Sequence, residues 1–369
     1  MKYNWQQADW PCFHYDLASI NQTLLRIVEK TGFIQGKVAH LSEEQKTEAL
    51  ISLLVEEAAN TSEIEGEFVS RLDIRSSIQN KLGLKAENVS IRDKRAIGLA
   101  ELMLDARNTY RLKLTQPMLF RWHAMLFSHL TQPRIIIGAW RDHAEAMQII
   151  SGPAGKQKVH FEAPPSKKVP EEMKQFIKWF NQTAPGEPNA IHYAPVRAAI
   201  AHLYFESIHP FEDGNGRIGR SIAEKALSQG FCYPTIFSLS KVIEANKKAY
   251  YAALNAASKT NEITDWIIYF TCVVQDALKN TEDEIDFILK KSIFFDRFEK
   301  KLNPRQLKVL NRMLKEGPAG FSGGMSAKKY GIISGASKAT ATRDLQELFA
   351  LGVFKKTGKG PSVSYELNL

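Results

Sequence analysis

Cysteine is scarce in this chain: three in 369 residues, at Cys12, Cys232 and Cys272, with no Cys-x-x-Cys pair. That excludes a disulfide framework and a zinc ribbon, and it fits a reducing compartment. No apolar run approaches the ~20 residues that a membrane-spanning helix needs. The stretch Met1–Asp9 lacks the apolar core of a secretory signal. No internal repeat or low-complexity segment stands out. These absences set the expectation of a cytoplasmic protein with no membrane partner. What the chain does have is length and apolar content. At 44% hydrophobic residues it can bury real cores, and 369 residues suggest two or three domains.

The net charge of +9 is unevenly placed. Residues 300–369 hold thirteen Lys and Arg against four Asp and Glu, a surplus of nine, so the first 299 residues are neutral. Such asymmetry marks a separate basic module. Elsewhere the pattern is mainly helical. Residues 1–40 are rich in aromatics and lead into a helical pattern from Asp16 to about Gly32. Ser42 and Gln45 form a capping-box signature for a helix that ends near Gly66, a residue type that closes helices. Helices are expected at about 70–82, 92–111 and 119–126, then at 170–182, 195–208, 218–229, 241–257 and 262–291. Between Gly138 and Pro165 the helical period is lost, and short apolar runs there predict a hairpin.

The densest chemistry lies at 209–220: His209-Pro210-Phe211-Glu212-Asp213-Gly214-Asn215-Gly216-Arg217-Ile218-Gly219-Arg220. Phosphate chemistry uses these residue types together. Asp213 suits Mg²⁺, which prefers oxygen ligands and shared phosphates. Gly214 and Gly216 let backbone N–H groups approach an anion. The apolar residues that follow predict a helix whose N-terminus faces the phosphates. Arg217 and Arg220 are three apart, on one face of that helix, and suit phosphate oxygens. His209, at the start of the loop, has the right pKa range for a proton acceptor. Taken alone, His209 also reads as a satisfied histidine in a solvated turn; the string as a whole does not.

This string resembles, residue by residue, the Fic family signature His-Pro-Phe-x-Asp-Gly-Asn-Gly-Arg-x-x-Arg. The resemblance implies a mostly helical domain that transfers AMP from ATP to a Ser, Thr or Tyr hydroxyl of a protein, itself included. By that resemblance His209 is the base and Asp213 binds Mg²⁺ between the α- and β-phosphates. Asn215 holds the α-phosphate, Arg217 and Arg220 hold the β- and γ-phosphates, and Phe211 anchors the loop. The family's phosphotransferase branch carries a Lys where Gly216-Arg217 stand, so nucleotidyl transfer is favoured.

Glu65, taken locally, is an ordinary acid at a helix end. Thr61-x-x-x-Glu65-Gly66 nevertheless resembles the family's inhibitory pattern, Ser/Thr-x-x-x-Glu-Gly/Asn. The resemblance implies that Glu65 pairs with Arg220 and takes the fork that should hold the γ-phosphate. The segments Gly138–Arg141 and Gln148–Gly152 resemble the family's hairpin flap. They place Ile149, Ile150, Ser151 and Gly152 along an edge where a target backbone would pair. Tyr250-Tyr251 match a tyrosine pair of the family, and Tyr251 is expected beside the adenine. His202 is expected to be packed in the core, not catalytic.

In the basic tail, helices are expected at 304–316, 325–332 and from a Ser337 cap to Leu351. Strand-like pieces follow at 353–356 and 362–367. This order resembles a winged helix-turn-helix. Lys338, Thr340 and Arg343 would face the major groove of duplex DNA, and Lys355, Lys356 and Lys359 its backbone. The same fold also serves protein contacts.

The expected architecture is therefore mainly α, with a winged helix (α+β) at the C-terminus. It comprises an N-terminal helical domain over 1–112 with the inhibitory motif at 61–66, a Fic-type domain over 113–290 with a flap at about 138–165, and the winged helix over 300–369. The expected partners are ATP, a hydroxyl-bearing protein and duplex DNA, with a homodimer plausible for a winged-helix protein. Two rival functions stay open: a DNA-binding regulator whose Fic domain senses nucleotide, and an enzyme that removes AMP with Glu65 orienting a water.

Overall fold

The structure, a computed structural model, describes residues 2–84, 90–151, 158–358 and 363–369. Two compact units emerge. The first comprises Met1–Gln35 and Thr47–Lys279; the second comprises Gly36–Lys46 and Asn280–Leu369. Among the described residues, no helix is long and apolar enough to cross a membrane.

The helices begin with α1 (Asn21–Ala39), α2 (Glu43–Ile64), α3 (Arg71–Lys81), α4 (Arg95–Asn108) and α5 (Gln116–Leu126). The hairpin β1 (Gln148–Ser151) and β2 (Lys158–Glu162) follows. Then come α6 (Val169–Gln182), α7 (Ala194–Ile208), α8 (Asn215–Phe231), α9 (Leu239–Ala245), α10 (Lys247–Ala257) and α11 (Thr264–Phe298). At the centre of the first unit is α7, all fifteen of whose residues are buried. A helix buried on every side has no solvent face and must be surrounded. Helix α8 packs so tightly along it that a Cβ on Gly230 would lie 2.4 Å from the Ala194 side chain.

Local chemistry sets several of the boundaries. The Ser42–Gln45 capping box forms: Ser42 N donates to Gln45 Oε1 at 2.9 Å, and Gln45 N to Ser42 Oγ at 3.2 Å. The helix expected over 241–257 is two helices, because Asn246 leaves helical geometry (φ −141°) and caps α10. Helix α8 starts at Asn215, inside the signature string and three residues before the expected start. The left-handed Gly214 (φ 80°) is its cap. The hairpin is narrower than the 138–165 segment: Gly138–Arg141 lies outside both strands. Its register shifts between Ile149, opposite Phe161, and Ile150, opposite Val159. Gly152 lies outside the described residues, and Ile150 and Ser151 are described by their backbone pairing alone.

The second unit holds α12 (Pro304–Leu314), α13 (Ala327–Ser334), α14 (Lys338–Ala350), β3 (Phe354–Thr357) and β4 (Ser364–Leu367). The two strands pair antiparallel, and Met325 bridges to Tyr365 beside them. The expected helix over 262–291 runs on to Phe298, because Phe294 and Phe298 enter this unit's core with Val309, Leu310, Tyr330, Leu345 and Phe354. Buried Asp344 ties three helices together: Tyr330 Oη donates to it at 2.8 Å and Arg305 Nε at 3.3 Å. Ser337 caps α14 through Thr340 N. Lys338, Arg343, Lys355 and Lys356 are exposed, whereas Thr340 is half-buried, its hydroxyl 3.1 Å from Ser337 Oγ. Lys359 lies outside the described residues.

Candidate active site

The string 209–220 forms a loop between α7 and α8. His209 ends α7 in the left-handed region (φ 51°, ψ 61°), a costly conformation for a residue with a Cβ. Arg141 holds the chain there. Its buried guanidinium donates to the carbonyls of His209 (2.8 Å), Ile208 (3.3 Å) and Pro164 (2.6 Å), and its own N–H to Pro210 O at 3.0 Å. Burial pushes Arg141 down to about 10, still protonated at neutral pH. Gly138–Arg141, expected as part of the flap, thus contributes a clamp on the motif.

Inside the loop, Asn215 Oδ1 accepts from Phe211 N at 2.9 Å and its Nδ2 donates to Phe211 O at 2.8 Å. The Asn215 side chain, expected on a phosphate, is here the tie that closes the loop; its backbone opens α8. Phe211 is fully buried and stacks on His123 at 4.2 Å between centroids. The His123 tautomer follows from its neighbours. Nδ1 accepts from Gly138 N at 3.0 Å, so Nε2 carries the proton and donates to Asp213 O at 3.2 Å. Burial, reinforced by the charge of Arg217, pushes His123 down to about 4, so it is neutral. Beyond its place on a helix, no sequence signal marks His123. Asp213 stands at the loop tip with its carboxylate mostly exposed, and its Oδ1 accepts from Gly214 N at 2.5 Å.

Both motif arginines are buried on α8, and both face carboxylates from the end of α2. Glu65 N and Gly66 N donate back to Ser62 O and Glu63 O, and Glu67 N also donates to Ser62 O at 2.9 Å. With Gly66 at φ 82°, this is a Schellman turn. It frees the Thr61 carbonyl, which accepts from Arg220 Nη2 at 2.8 Å, while Thr61 Oγ1 accepts from Arg220 Nε at 2.7 Å. Glu65 Oε1 takes Arg220 Nη2 at 2.8 Å. Burial alone would weaken the Arg220 charge, but Glu65 outweighs it and holds Arg220 above its ordinary value. Two residues on, Glu67 Oε2 lies 3.0 Å from Arg217 Nη1. The Glu65 carboxylate also covers the start of α8: a Cβ on Gly216 would meet its Oε1 at 2.2 Å. Glu65 thus reaches Arg220 as expected; Glu67 was not anticipated.

A cavity of about 470 Å³ opens beside these groups, lined by Glu65, His209, Glu206, Tyr250 and Tyr251 and, from the hairpin, Ile149 and Phe161. Tyr251 Oη donates to Ile64 O at 3.2 Å, next to Glu65, and burial raises it to about 12. His202 is fully buried, as expected of a packed residue. The aromatic N-terminal stretch, in which the sequence offers no chemistry, buttresses this cavity. Buried Asn4 donates to Ser207 Oγ at 2.7 Å and to Ser258 O at 2.8 Å, and Trp5 Nε1 donates to Glu162 O at 2.7 Å.

The site is thus a glycine-rich loop, two buried arginines and a histidine set in a helical core. Residues 113–227 match the Fic/DOC family, and the chain carries a Fic domain there. Residues 3–84 match a domain family of unknown function, DUF4172. Over 91 residues the chain is 32% identical to protein adenylyltransferase fic-1 of Caenorhabditis elegans, covering 24% of this chain and 16% of that protein. Over 99 residues it is 29% identical to a probable protein adenylyltransferase of Aquifex aeolicus (strain VF5), covering 27% of each. The chain therefore spans well under two thirds of either relative. A solved Fic family protein from Desulfovibrio desulfuricans G20 shares its fold with a TM-score of 0.52 at 20% identity, over 94% of this chain and 96% of that one. A Fic domain containing signaling protein from Bacteroides thetaiotaomicron VPI-5482 does so with a TM-score of 0.51 at 18% identity, over 73% and 96%.

Proposed function

We propose that the chain is a Fic-type protein adenylyltransferase that transfers AMP from ATP to a hydroxyl of a protein and is held inactive by the end of α2. The observation that carries this is the complete string 209–220, with His209 and Gly216 lining the cavity, Asp213 exposed at the loop tip and two buried arginines on α8. In the reaction, His209 Nε2 takes the hydroxyl proton. The oxygen forms a bond to the α-phosphorus while the bond from that phosphorus to the bridging oxygen breaks, and pyrophosphate leaves. The N-terminus of α8 and its arginines neutralise charge on the phosphates. Mg²⁺ is implied by this chemistry, and Asp213 fits it: Mg²⁺ commonly takes one or two carboxylates together with substrate phosphates. Among the described residues no group of three acids, histidines or cysteines offers a separate metal centre. When bound, the ion would neutralise phosphate charge.

Inhibition follows from competition. Glu65 holds one arm of the Arg220 fork, and Glu67 engages Arg217. ATP bound against them sits out of line for attack, and a displacement of about 1 Å can cost ~10²-fold. The test is incubation of the Glu65→Gly protein with α-labelled and γ-labelled ATP separately. Label from the α position alone is expected. Label from γ alone would mean a kinase. ATP binding without transfer would leave a nucleotide sensor, and release of AMP from labelled protein without transfer would mean a removing enzyme.

A second reading concerns the second unit. Its helix, bridge, helix, helix and hairpin order, with exposed Lys338, Arg343, Lys355 and Lys356, supports a winged helix that binds duplex DNA.

A further inference from the structure

Behind His209 lies a line of buried polar groups outside the signature string. Glu206, one turn back on α7, places Oε2 3.6 Å from His209 Nδ1. Four residues further back, His202 Nε2 lies 2.8 Å from Tyr250 Oη. A Cβ on Gly219 would meet Glu206 Oε1 at 2.5 Å and His202 Nδ1 at 3.1 Å, so these two atoms converge on one spot of α8. His209 Nδ1, Glu206 Oε1 and His202 Nδ1 are all buried with no hydrogen-bond partner among the described residues. Buried polar atoms are rarely left so, and three together call for a function.

The backbone of His209 is already locked by Arg141, but that leaves its ring free to turn about Cβ–Cγ. Only a partner at Nδ1 settles which nitrogen carries the proton. We propose that Glu206 is the positioning residue of His209: its carboxylate accepts the Nδ1 proton, leaves Nε2 bare toward the cavity and steadies the imidazolium formed during transfer. The 3.6 Å separation is an ion-pair distance that tightens to a hydrogen bond as the ring gains its proton; contacts of this kind are often long before substrate binds. The carboxylate is suited to the task. Burial works against its charge, yet His209, His202 and Arg220 around it outweigh that and hold it below the usual range, so it is ionised. Gly219 supplies the room, since any side chain there would strike Glu206 or His202.

This rests on the reading of His209 as the base. The test uses the whole chain carrying Glu65→Gly, with and without Glu206→Gln, a substitution of the same shape. Expected is a fall in kcat of roughly tenfold to a hundredfold with KM for ATP unchanged, and a shift of the acidic limb of the pH–rate profile to lower pH. A second measurement does not depend on turnover: NMR titration of His209, which should become more acidic in Glu206→Gln. Should AMP transfer itself fail in the Glu65→Gly parent, that titration still decides the Glu206–His209 coupling. An unmoved limb and an unmoved His209 titration would overturn the proposal, even if kcat fell. So would a loss of activity explained by a fall in Tm alone.

Discussion

Glu67 Oε2 lies 3.0 Å from Arg217 Nη1, while two residues earlier Glu65 Oε1 lies 2.8 Å from Arg220 Nη2. A single Schellman turn thus points two carboxylates at the two arginines of the signature string. The pairs differ in setting. Both arginines are buried, but Glu65 pairs with one that Thr61 also holds through two further bonds. Glu67 shares its carboxylate with Arg95, at 3.9 Å.

Glu65→Gly should therefore raise AMP transfer by about tenfold or more, most visibly as self-labelling, because a freed charge-assisted fork restores phosphate alignment. The double substitution Glu65→Gly, Arg220→Ala should lose that gain. An unchanged rate in the single variant would contradict inhibition. A gain that survives removal of Arg220 would keep inhibition but remove this route to it.

Glu67→Gln should activate less, by roughly two- to fivefold, since its carboxylate is shared between Arg217 and Arg95 and such partly exposed ion pairs are worth little. Added to Glu65→Gly, it should lower KM for ATP through the released Arg217. Initial rates across an ATP titration decide it, and an unaltered KM in the double variant would leave Glu67 a surface ion pair only.

Gly66→Val touches neither carboxylate yet should also activate. At φ 82° a β-branched residue is strained by about 1–2 kcal/mol, which loosens the turn that aims both glutamates. A several-fold rise in self-labelling is expected, with no loss of ATP affinity. Wild-type rates would show that the turn tolerates the strain.

Much of this site was legible because it is written in contiguous residues. The string 209–220 forms one loop and helix start, and the Thr61–Gly66 hexapeptide meets Arg220, so each is short enough to be read locally. Gly66 also reads correctly as a helix stop. Glu67 escaped because its direction depends on the Schellman turn, and an acid after a glycine looks like any solvated acid. Glu206 escaped because α7 reads as an apolar core helix, and its meaning comes from a histidine that leaves helical geometry one turn later. Asn4 is the extreme case: its partner Ser207 is 203 residues away, and nothing local signals that a polar side chain near the start supports the end of α7. The early start of α8 was hidden by the two glycines, ordinarily poor helix formers, one of which is the cap.

The helix that carries the motif also carries a pH-sensitive acid. Glu224 is raised to about 7, first by burial and then by the nearby charge of Glu57 on α2. Between the ordinary value of 4.5 and about 7 the folded chain holds a proton that the unfolded chain releases. Stability contributed by that proton is present at low pH and is lost as pH rises through 7. Glu224→Gln should therefore raise Tm at pH 8 but leave it nearly unchanged at pH 5. Thermal melts at the two values suffice, and an equal shift at both would place the effect in packing.

For the second unit, the prediction is a salt slope. Duplex DNA binding through lysines and arginines releases counterions, so log affinity falls with log salt by about 0.9 for each phosphate contact. The thirteen basic residues of 300–369 against four acids supply the charge, and Lys355 and Lys356 stand exposed on β3. If they meet the DNA backbone, Lys355→Ala with Lys356→Ala in the full chain should weaken binding to all sequences alike and reduce the slope by about two. Arg343→Ala, on α14, should instead weaken binding more for one sequence than for another, as expected of a residue that reads base edges. Fluorescence anisotropy with mixed duplexes at several salt concentrations measures both. No binding at the lowest salt would refute the DNA reading and leave this unit a protein-contact module. Binding with an unchanged slope in the double lysine variant would move the phosphate contacts to another face.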